Sequence, residues 1–311
     1  MTTFQKRSIV VTGASGFVGR HVIADALDRG YDVHAVMHAD VSWPGRERLT
    51  SWHIADLRED WPDGLTADTA IHLAGLAAVG PSFAHPQRYI TANSAMMTAV
   101  GEAAIAGAIR GRVVVVSTGG VYAGGGAVPL TEDSPLAASS PYAVSKILVE
   151  QQADYYRRRG VDAIVARPFN HIGPGQAPGF LVPDLRAALD ALPADAPLAV
   201  GNLTTRRDYT DVRDIAHAYL DLIDATTLRN TTYNVSTGRS LSGAEILALL
   251  CETMGRDIPS LVADPDRWRP TDLPEVIGSS RRLHDELGWS PRRTPLTAIA
   301  DFVKGLDTES A

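Results

Sequence analysis

The stretch Ile9-Val10-Val11-Thr12-Gly13-Ala14-Ser15-Gly16-Phe17-Val18-Gly19-Arg20-His21-Val22 decides the fold. An apolar β-branched run breaks at a glycine and resumes as a helix-compatible sequence. Gly13 permits a sharp turn, Gly16 lets a pyrophosphate approach the backbone, and Gly19 lets the helix sit close on the strand. The first turn of that helix offers unpaired N–H groups and the positive end of its dipole to a phosphate. The spacing is GxxGxxG, one residue wider than the GxGxxG form. A bare glycine-rich turn is the competing reading; the strand before it and the helix after it favour the phosphate site.

Outward from this turn, the first half alternates two periodicities. Strand-like runs occur at Ser8–Thr12, Asp32–Met37, Ser51–Ile54, Thr69–Leu73, Arg112–Ser117 and Val161–Ala166, and helical patterns at Val18–Arg29, Gln87–Ala108 and Tyr142–Arg159. Mostly apolar strands alternating with helices predict a parallel sheet covered on both faces, and right-handed crossovers make it a doubly wound α/β sheet of the Rossmann type. After Arg167, glycines and prolines punctuate the chain. The expectation is a dinucleotide-binding domain over 1–167 and a smaller substrate-binding lobe over 168–311, some of whose strands return to the sheet. A coil-like tail is expected after Gly305.

Composition narrows the class. The net charge of −7 argues against a nucleic-acid partner, which requires a basic surface. Arg157, Arg158 and Arg159 read as a solvated helix face. With Cys251 the only cysteine, no internal disulfide can form, which fits a reducing cytoplasm. Cys251 itself reads as a helix-packing thiol. No signal-peptide layout and no membrane-spanning apolar run are seen, and no metal site is expected.

The end of the second strand, Val36-Met37-His38, carries no carboxylate until Asp40. A carboxylate there would bind the ribose 2′-hydroxyl of NAD. Its lack favours NADP(H) and leaves NAD(H) open, with His38 or Arg20 able to face a 2′-phosphate; a plain surface role fits His38 equally. Asp56, before Leu57, fits an acceptor for an adenine amino group or a helix N-cap.

Tyr142-Ala143-Val144-Ser145-Lys146 puts a phenol and an ammonium one helical turn apart, behind a helix start at Ser140-Pro141. Such a lysine stabilises tyrosinate, so Tyr142 can move a proton to or from a carbinol oxygen. Thr118 follows the buried run Val113–Val116, at the carboxyl end where ligands sit in such sheets, and can bond the same oxygen.

With these pieces assembled, the chain resembles the extended short-chain dehydrogenase/reductases, a family of sugar-nucleotide epimerases, dehydratases and reductases. The resemblance covers nearly the whole chain: Thr12–Gly19, Asp56-Leu57, His72-Leu73-Ala74-Gly75, Asn93, Ser117-Thr118, Tyr142–Lys146, Arg167-Pro168-Phe169-Asn170, Arg207-Asp208-Tyr209 and Leu287-Gly288-Trp289. The loop Ala166–Gln176 and the segment Arg269–Pro274 are similar to those of 4-keto-6-deoxyhexose reductases acting on GDP- or dTDP-sugars. The resemblance implies Thr118, Tyr142 and Lys146 as the catalytic triplet. It implies a cofactor held by Gly13, Ser15, Gly16, Phe17, Val18, Gly19, His38, Asp56, Leu57, Leu73, Ala74, Gly75, Tyr142, Lys146 and Arg167. It implies a sugar nucleotide held by Thr118, Asn170, His171, Arg207 and Arg269, the two arginines clamping phosphates, and a homodimer built on the two long helices; read without the family, the arginines fit surface ion pairs equally, and a hydrogen-bonded structural role fits His171 at least as well. Core packing within one subunit explains Ala95, Ala99, Ala103 and Ala104 as well as a dimer does.

Departures from the family narrow the reaction. Its 4,6-dehydratases carry an acidic pair after the catalytic threonine, where this chain has Gly119-Gly120. Its double epimerases use a cysteine and a histidine, whereas Cys251 is remote. The leading expectation is an NAD(P)H-dependent 4-ketoreductase, or the reverse dehydrogenase, of a nucleotide-activated 4-keto-6-deoxyhexose. The alternatives are a 4-epimerase with tightly bound NAD and a non-catalytic dinucleotide sensor, the intact triplet counting against the sensor.

Overall fold

The computed structural model describes residues 7–123, 129–193, 196–264 and 273–309. Strand β1 (Ser8–Thr12) runs into the glycine turn and helix α1 (Phe17–Asp28). Next come β2 (Asp32–Met37), β3 (Ser51–Ile54), β4 (Thr69–His72), α2 (Val79–Ala84) and α3 (Pro86–Ile105). Strand β5 (Val113–Val116), α4 (Pro141–Arg158) and β6 (Ala163–Pro168) complete the first half. The second half holds β7 (Asn170–Ile172), α5 (Leu181–Asp190), β8 (Leu198–Val200), β9 (Arg206–Asp211), α6 (Val212–Asp224) and β10 (Thr232–Val235). It ends with β11 (Ser240–Ser242), α7 (Gly243–Thr253), β12 (Leu261–Ala263), β13 (Glu275–Val276), α8 (Arg281–Leu287) and α9 (Pro295–Glu309).

The main sheet has seven strands in the order β10-β6-β5-β4-β1-β2-β3, every neighbouring pair parallel. Successive side chains point to opposite faces. Ile9 and Val11 therefore pack with Val22, Ile23 and Ala26 of α1 and with Ile215, Tyr219 and Leu222 of α6. Val10, Val113 and Val115 pack on the other face with Met97 and Val100 of α3 and Val149 and Ala153 of α4. Covering both faces requires strands that are apolar throughout, which explains the uninterrupted Val113–Val116 run. The helices α3 and α4 touch closely at Gly101, where a Cβ would fall 2.1 Å from the Tyr156 ring. Ala103 is buried, and Ala99 and Ala104 pack against the same core, so these alanines serve packing within the subunit.

The smaller lobe has its own core, in which Val182 and Leu189 of α5, Leu198 of β8, Ile246 and Leu250 of α7 and Phe302 of α9 are buried. Cys251 is buried there, a packing thiol as the sequence indicates. Strands β11, β9 and β13 form a small sheet that β7 joins through β9, while β12 pairs with β8. The chain after Gly305 is a correction: α9 continues to Glu309 instead of passing into coil. A single glycine near a helix end costs only about 1 kcal/mol, and Phe302 and Val303 anchor the turn before it.

Candidate active site

A continuous cleft of about 1540 Å³ lies at the carboxyl ends of β1, β2, β4, β5 and β6 and extends into the smaller lobe. At one end is the glycine turn. Gly13 has φ +69°, and a Cβ there would lie 2.8 Å from Ala74 N. A Cβ on Gly19 would lie 2.4 Å from the Gly13 carbonyl oxygen. Gly16 caps α1 with no side-chain acceptor, so the first amides of the helix remain free for a ligand. Behind the turn, the Ala74 amide donates to Thr12 Oγ1 (3.2 Å), which lies 2.8 Å from His72 Nδ1. Burial pushes His72 down to about 3, so this imidazole is neutral. The cradle fits a dinucleotide pyrophosphate, since side chains at Gly13 and Gly19 would fill the space that lets backbone, helix and phosphate meet.

His38, Asp56 and Leu57 line the next part of the cleft. Asp56 begins no helix; its Oδ1 accepts from the Arg58 amide at 3.0 Å, and its carboxylate pairs with the Arg58 guanidinium. That pair holds the Asp56 carboxyl down at about 2. Arg58, also on the cleft wall, escaped the sequence reading, although its place two residues after the acid makes the pairing local. Arg20 is not among the residues that line the cleft; its Nε donates to Ser15 O at 3.0 Å and its guanidinium lies over Trp43. Asp40 is bound to Arg46 at 2.5 Å and does not line the cleft.

The triplet converges at the middle of the cleft. Ser140 caps α4 by accepting from the Ala143 amide at 3.1 Å, and Pro141 supplies the first helical residue. The helix then directs Tyr142 and Lys146 to one wall. The Tyr142 phenol stands beside the Thr118 side chain, and burial raises it to about 12. Lys146 Nζ donates to Val116 O at 2.8 Å, and burial lowers the ammonium to about 8, opposed by Glu150. Gly75 faces Lys146 at a point where a Cβ would lie 3.5 Å from Nζ. Asn93 fixes that wall: its Oδ1 accepts from Leu76 N (2.7 Å) and its Nδ2 donates to Ser145 Oγ (2.8 Å). Gly119 is pressed on Phe169, whose ring would lie 3.0 Å from a Cβ. A side chain at Gly119 would have to displace that ring.

Arg167 is a further correction. It does not line the cleft; its guanidinium binds Glu150 in a two-point pair (2.9 and 2.6 Å) and donates to Tyr122 Oη (2.9 Å). Ser117 Oγ donates to the same Glu150 carboxylate at 2.5 Å. The residue before Pro168 points into the layer beneath α4, where it locks the helix that carries Tyr142 and Lys146 to β5 and β6.

Asn170, His171 and Arg207 line the arm that enters the smaller lobe. The His171 ring stacks on Phe17 (centroids 5.9 Å apart, 17° between planes) with Nδ1 3.0 Å from Phe169 O, and burial lowers its pKa. Arg207 donates to Leu273 O and Arg206 O, both at 2.8 Å, which holds its stem at the wall. Arg269 lies outside the described residues. Gln176 and Tyr219 also line the cleft, and among the described residues Gln176 Oε1 and Tyr219 Oη accept or donate no hydrogen bond. Gln176 sits in the loop singled out by sequence. Tyr219 is legible only once α6 is seen packed beneath the strands. Among the described residues no cluster of three or more histidine, cysteine or carboxylate side chains could hold a metal.

A doubly wound parallel sheet with a glycine phosphate turn and a Thr-Tyr-Lys triplet at the end of β5 defines an extended short-chain dehydrogenase/reductase. The chain belongs to the NAD dependent epimerase/dehydratase family, whose model matches residues 9–236. It is 33% identical over 293 residues to the GDP-6-deoxy-D-mannose reductase of Pseudomonas aeruginosa, covering 92% of each chain. It is 30% identical over 318 residues to a UDP-glucose 4-epimerase of Azospirillum brasilense, covering 94% of this chain and 89% of that one. The solved structure of RMD from Pseudomonas aeruginosa complexed with NADPH matches with a TM-score of 0.81 at 30% identity, over 98% of this chain and 100% of that chain.

Proposed function

We propose that the protein is a 4-ketoreductase of a nucleotide-activated 4-keto-6-deoxyhexose, using NADPH in preference to NADH. The observation that carries this reading is the meeting of Thr118, Tyr142 and Lys146 in a cleft that offers no acidic residue at Gly119-Gly120 and no cysteine. The bound nicotinamide supplies the hydride. Tyr142 supplies the proton to the carbonyl oxygen, Thr118 orients that oxygen, and Lys146 stabilises the tyrosinate left behind. The glycine turn holds the cofactor's pyrophosphate; Asp56 and Leu57 hold the adenine and His38 faces the ribose. Asn170, Arg207 and Arg269 hold the sugar diphosphate, and His171 lines the sugar pocket. A reductase needs nothing beyond these groups. A 4-epimerase needs the same triplet, and the likeness to UDP-glucose 4-epimerases favours it as the second reading. The reading includes a cytoplasmic homodimer joined through α3 and α4, where Val144 and Tyr155 are exposed; light scattering on the purified protein tests the dimer.

The decisive experiment follows nicotinamide absorbance while GDP- and dTDP-4-keto-6-deoxyhexoses are added in turn. Oxidation of NADPH supports the reductase, and Tyr142→Phe then lowers the rate by about a hundredfold or more. No oxidation, together with NAD retained through purification and interconversion of 4-epimers, replaces it with the epimerase.

A further inference from the structure

The arm of the cleft in the smaller lobe is a slot between α5 and the end of β8. Leu181, Leu185 and Ala188 form one wall, and Val200, Gly201 and Leu203 the other. A mainly apolar lining of this kind suits the face of a nucleobase. One carboxylate stands in its rim. Only two carboxylates are found among the described residues lining the whole cleft, Asp56 and Asp184. Asp56 is at the far end and paired with Arg58. Asp184, in the first turn of α5, accepts from the Gly179 amide through Oδ1 at 2.7 Å. Among the described residues no cation pairs with it, and Oδ2 accepts nothing. The loop Gly179–Phe180 thus fixes the carboxylate on the slot's rim with one oxygen and part of the other's lone pairs open to a ligand.

The edges of the nucleobases respond differently to such a group. Guanine presents an N1–H beside a 2-amino group, two parallel donors that a carboxylate accepts together. Uracil and thymine present one N3–H flanked by two carbonyl oxygens, so a carboxylate gains one bond and meets two repulsions. Adenine offers one amino donor beside a ring acceptor. A fixed anion in the rim therefore discriminates by attraction to one edge and repulsion of the others.

We propose that Asp184 is the base-selecting residue and that the sugar nucleotide is guanosine-linked. This rests on the reading of the cleft as a sugar-nucleotide site and supplies the base that reading leaves open. The residue acts on binding, not on the chemical step.

The test is calorimetric titration of the protein saturated with NADP⁺ with GDP, IDP, UDP and dTDP, repeated on Asp184→Asn. Inosine keeps N1–H and lacks the 2-amino group. The wild-type protein is expected to bind GDP about tenfold or more tighter than IDP, UDP and dTDP. Asp184→Asn keeps an oxygen for the Gly179 amide, so the loop stays held, but it loses the paired acceptor. GDP is then expected to fall to within about threefold of IDP, with UDP unchanged or improved. Pyrimidine nucleotides binding as tightly as GDP to the wild type, or a GDP-to-IDP ratio untouched by Asp184→Asn at equal melting temperature, would overturn the assignment. Absence of binding by all four nucleotides would instead overturn the sugar-nucleotide reading beneath it.

Discussion

Lys146 Nζ donates to the carbonyl oxygen of Val116 at 2.8 Å, which ties the ammonium to the last residue of β5, two positions before Thr118. The strand end that presents the threonine thereby also sets the height of the lysine. Burial costs the ammonium its hydration, and its pKa falls to about 8. The direction matters for activity. Below about pH 8 Lys146 is charged and can stabilise the tyrosinate formed in reduction; above it the charge is lost. The rate of ketone reduction at low substrate is expected to fall as pH rises through about 8, with a one-proton slope. Lys146→Arg keeps its charge at any accessible pH, so the variant, though slower, is expected to lose that limb. A pH–rate profile of both proteins checks this, and an unchanged limb in Lys146→Arg would assign it to another group.

The Glu150–Arg167 pair gives a prediction about stability. Both side chains are buried, 7% and 6% exposed, and Ser117 and Tyr122 join the network. Removing one partner leaves a buried charge without compensation, which costs about 3 kcal/mol or more, whereas removing both leaves no charge stranded. Arg167→Met is expected to lower the urea midpoint strongly, and Glu150→Met/Arg167→Met to cost less than Arg167→Met alone. The equilibrium denaturation curves of the three proteins decide it. A double variant less stable than the single one would show that the pair acts through geometry more than charge.

This pair also shows where sequence reading stops. The bounds read for β1, β2 and β3 match the structure to the residue, and β1 is the clearest of them, an unbroken β-branched run from Ile9 to Thr12 that a glycine ends. The start of α4 was legible because Ser140-Pro141 carries its own capping chemistry. Arg167 was misplaced because alternation along β6 says only that its side chain leaves one face of the sheet. What waits on that face, Glu150 seventeen positions earlier, depends on how α4 crosses. Tyr219 and Asp184 stayed hidden for a similar reason: each becomes part of the cleft through packing between distant elements, with no local motif to announce it. Arg58 was missed differently, its signal being local but lost beside the stronger Asp56-Leu57 match.

His72 makes folding stability depend on acid. Its folded pKa, lowered to about 3 by complete burial, lies below the unfolded value of 6.5. As pH falls below 6.5 the unfolded chain takes up a proton at this site and the folded chain does not. The stability present above 6.5 is therefore lost progressively down towards pH 3, by at most about 1.4 kcal/mol per pH unit from this group. His72→Asn keeps a hydrogen-bonding partner for Thr12 and does not titrate. Its stability is expected to decline less between pH 6 and 4 than that of the wild type, measured by urea denaturation. Parallel declines in the two proteins would remove His72 from the account.

The proposed preference for NADPH is testable where β2 ends. Asp40 is held by Arg46 and does not line the cleft; Asp56, the one carboxylate among the described residues lining this end, is paired with Arg58, and His38 stands beside them. The Arg58 guanidinium is more than half exposed while it holds Asp56, so it can reach a phosphate on the ribose without leaving a buried partner. An exposed arginine contact to phosphate is worth about tenfold in affinity. Arg58→Ala is expected to weaken NADPH by about that factor and leave NADH nearly unchanged, shifting the ratio of their dissociation constants. Replacing His38 with Asp restores the acceptor that binds a ribose 2′-hydroxyl and repels a 2′-phosphate, so His38→Asp is expected to move the ratio further in the same direction. Fluorescence titration of each variant with both reduced cofactors measures it. Equal loss of NADH and NADPH in Arg58→Ala would place Arg58 as a support for the adenine-binding turn and take it out of phosphate recognition.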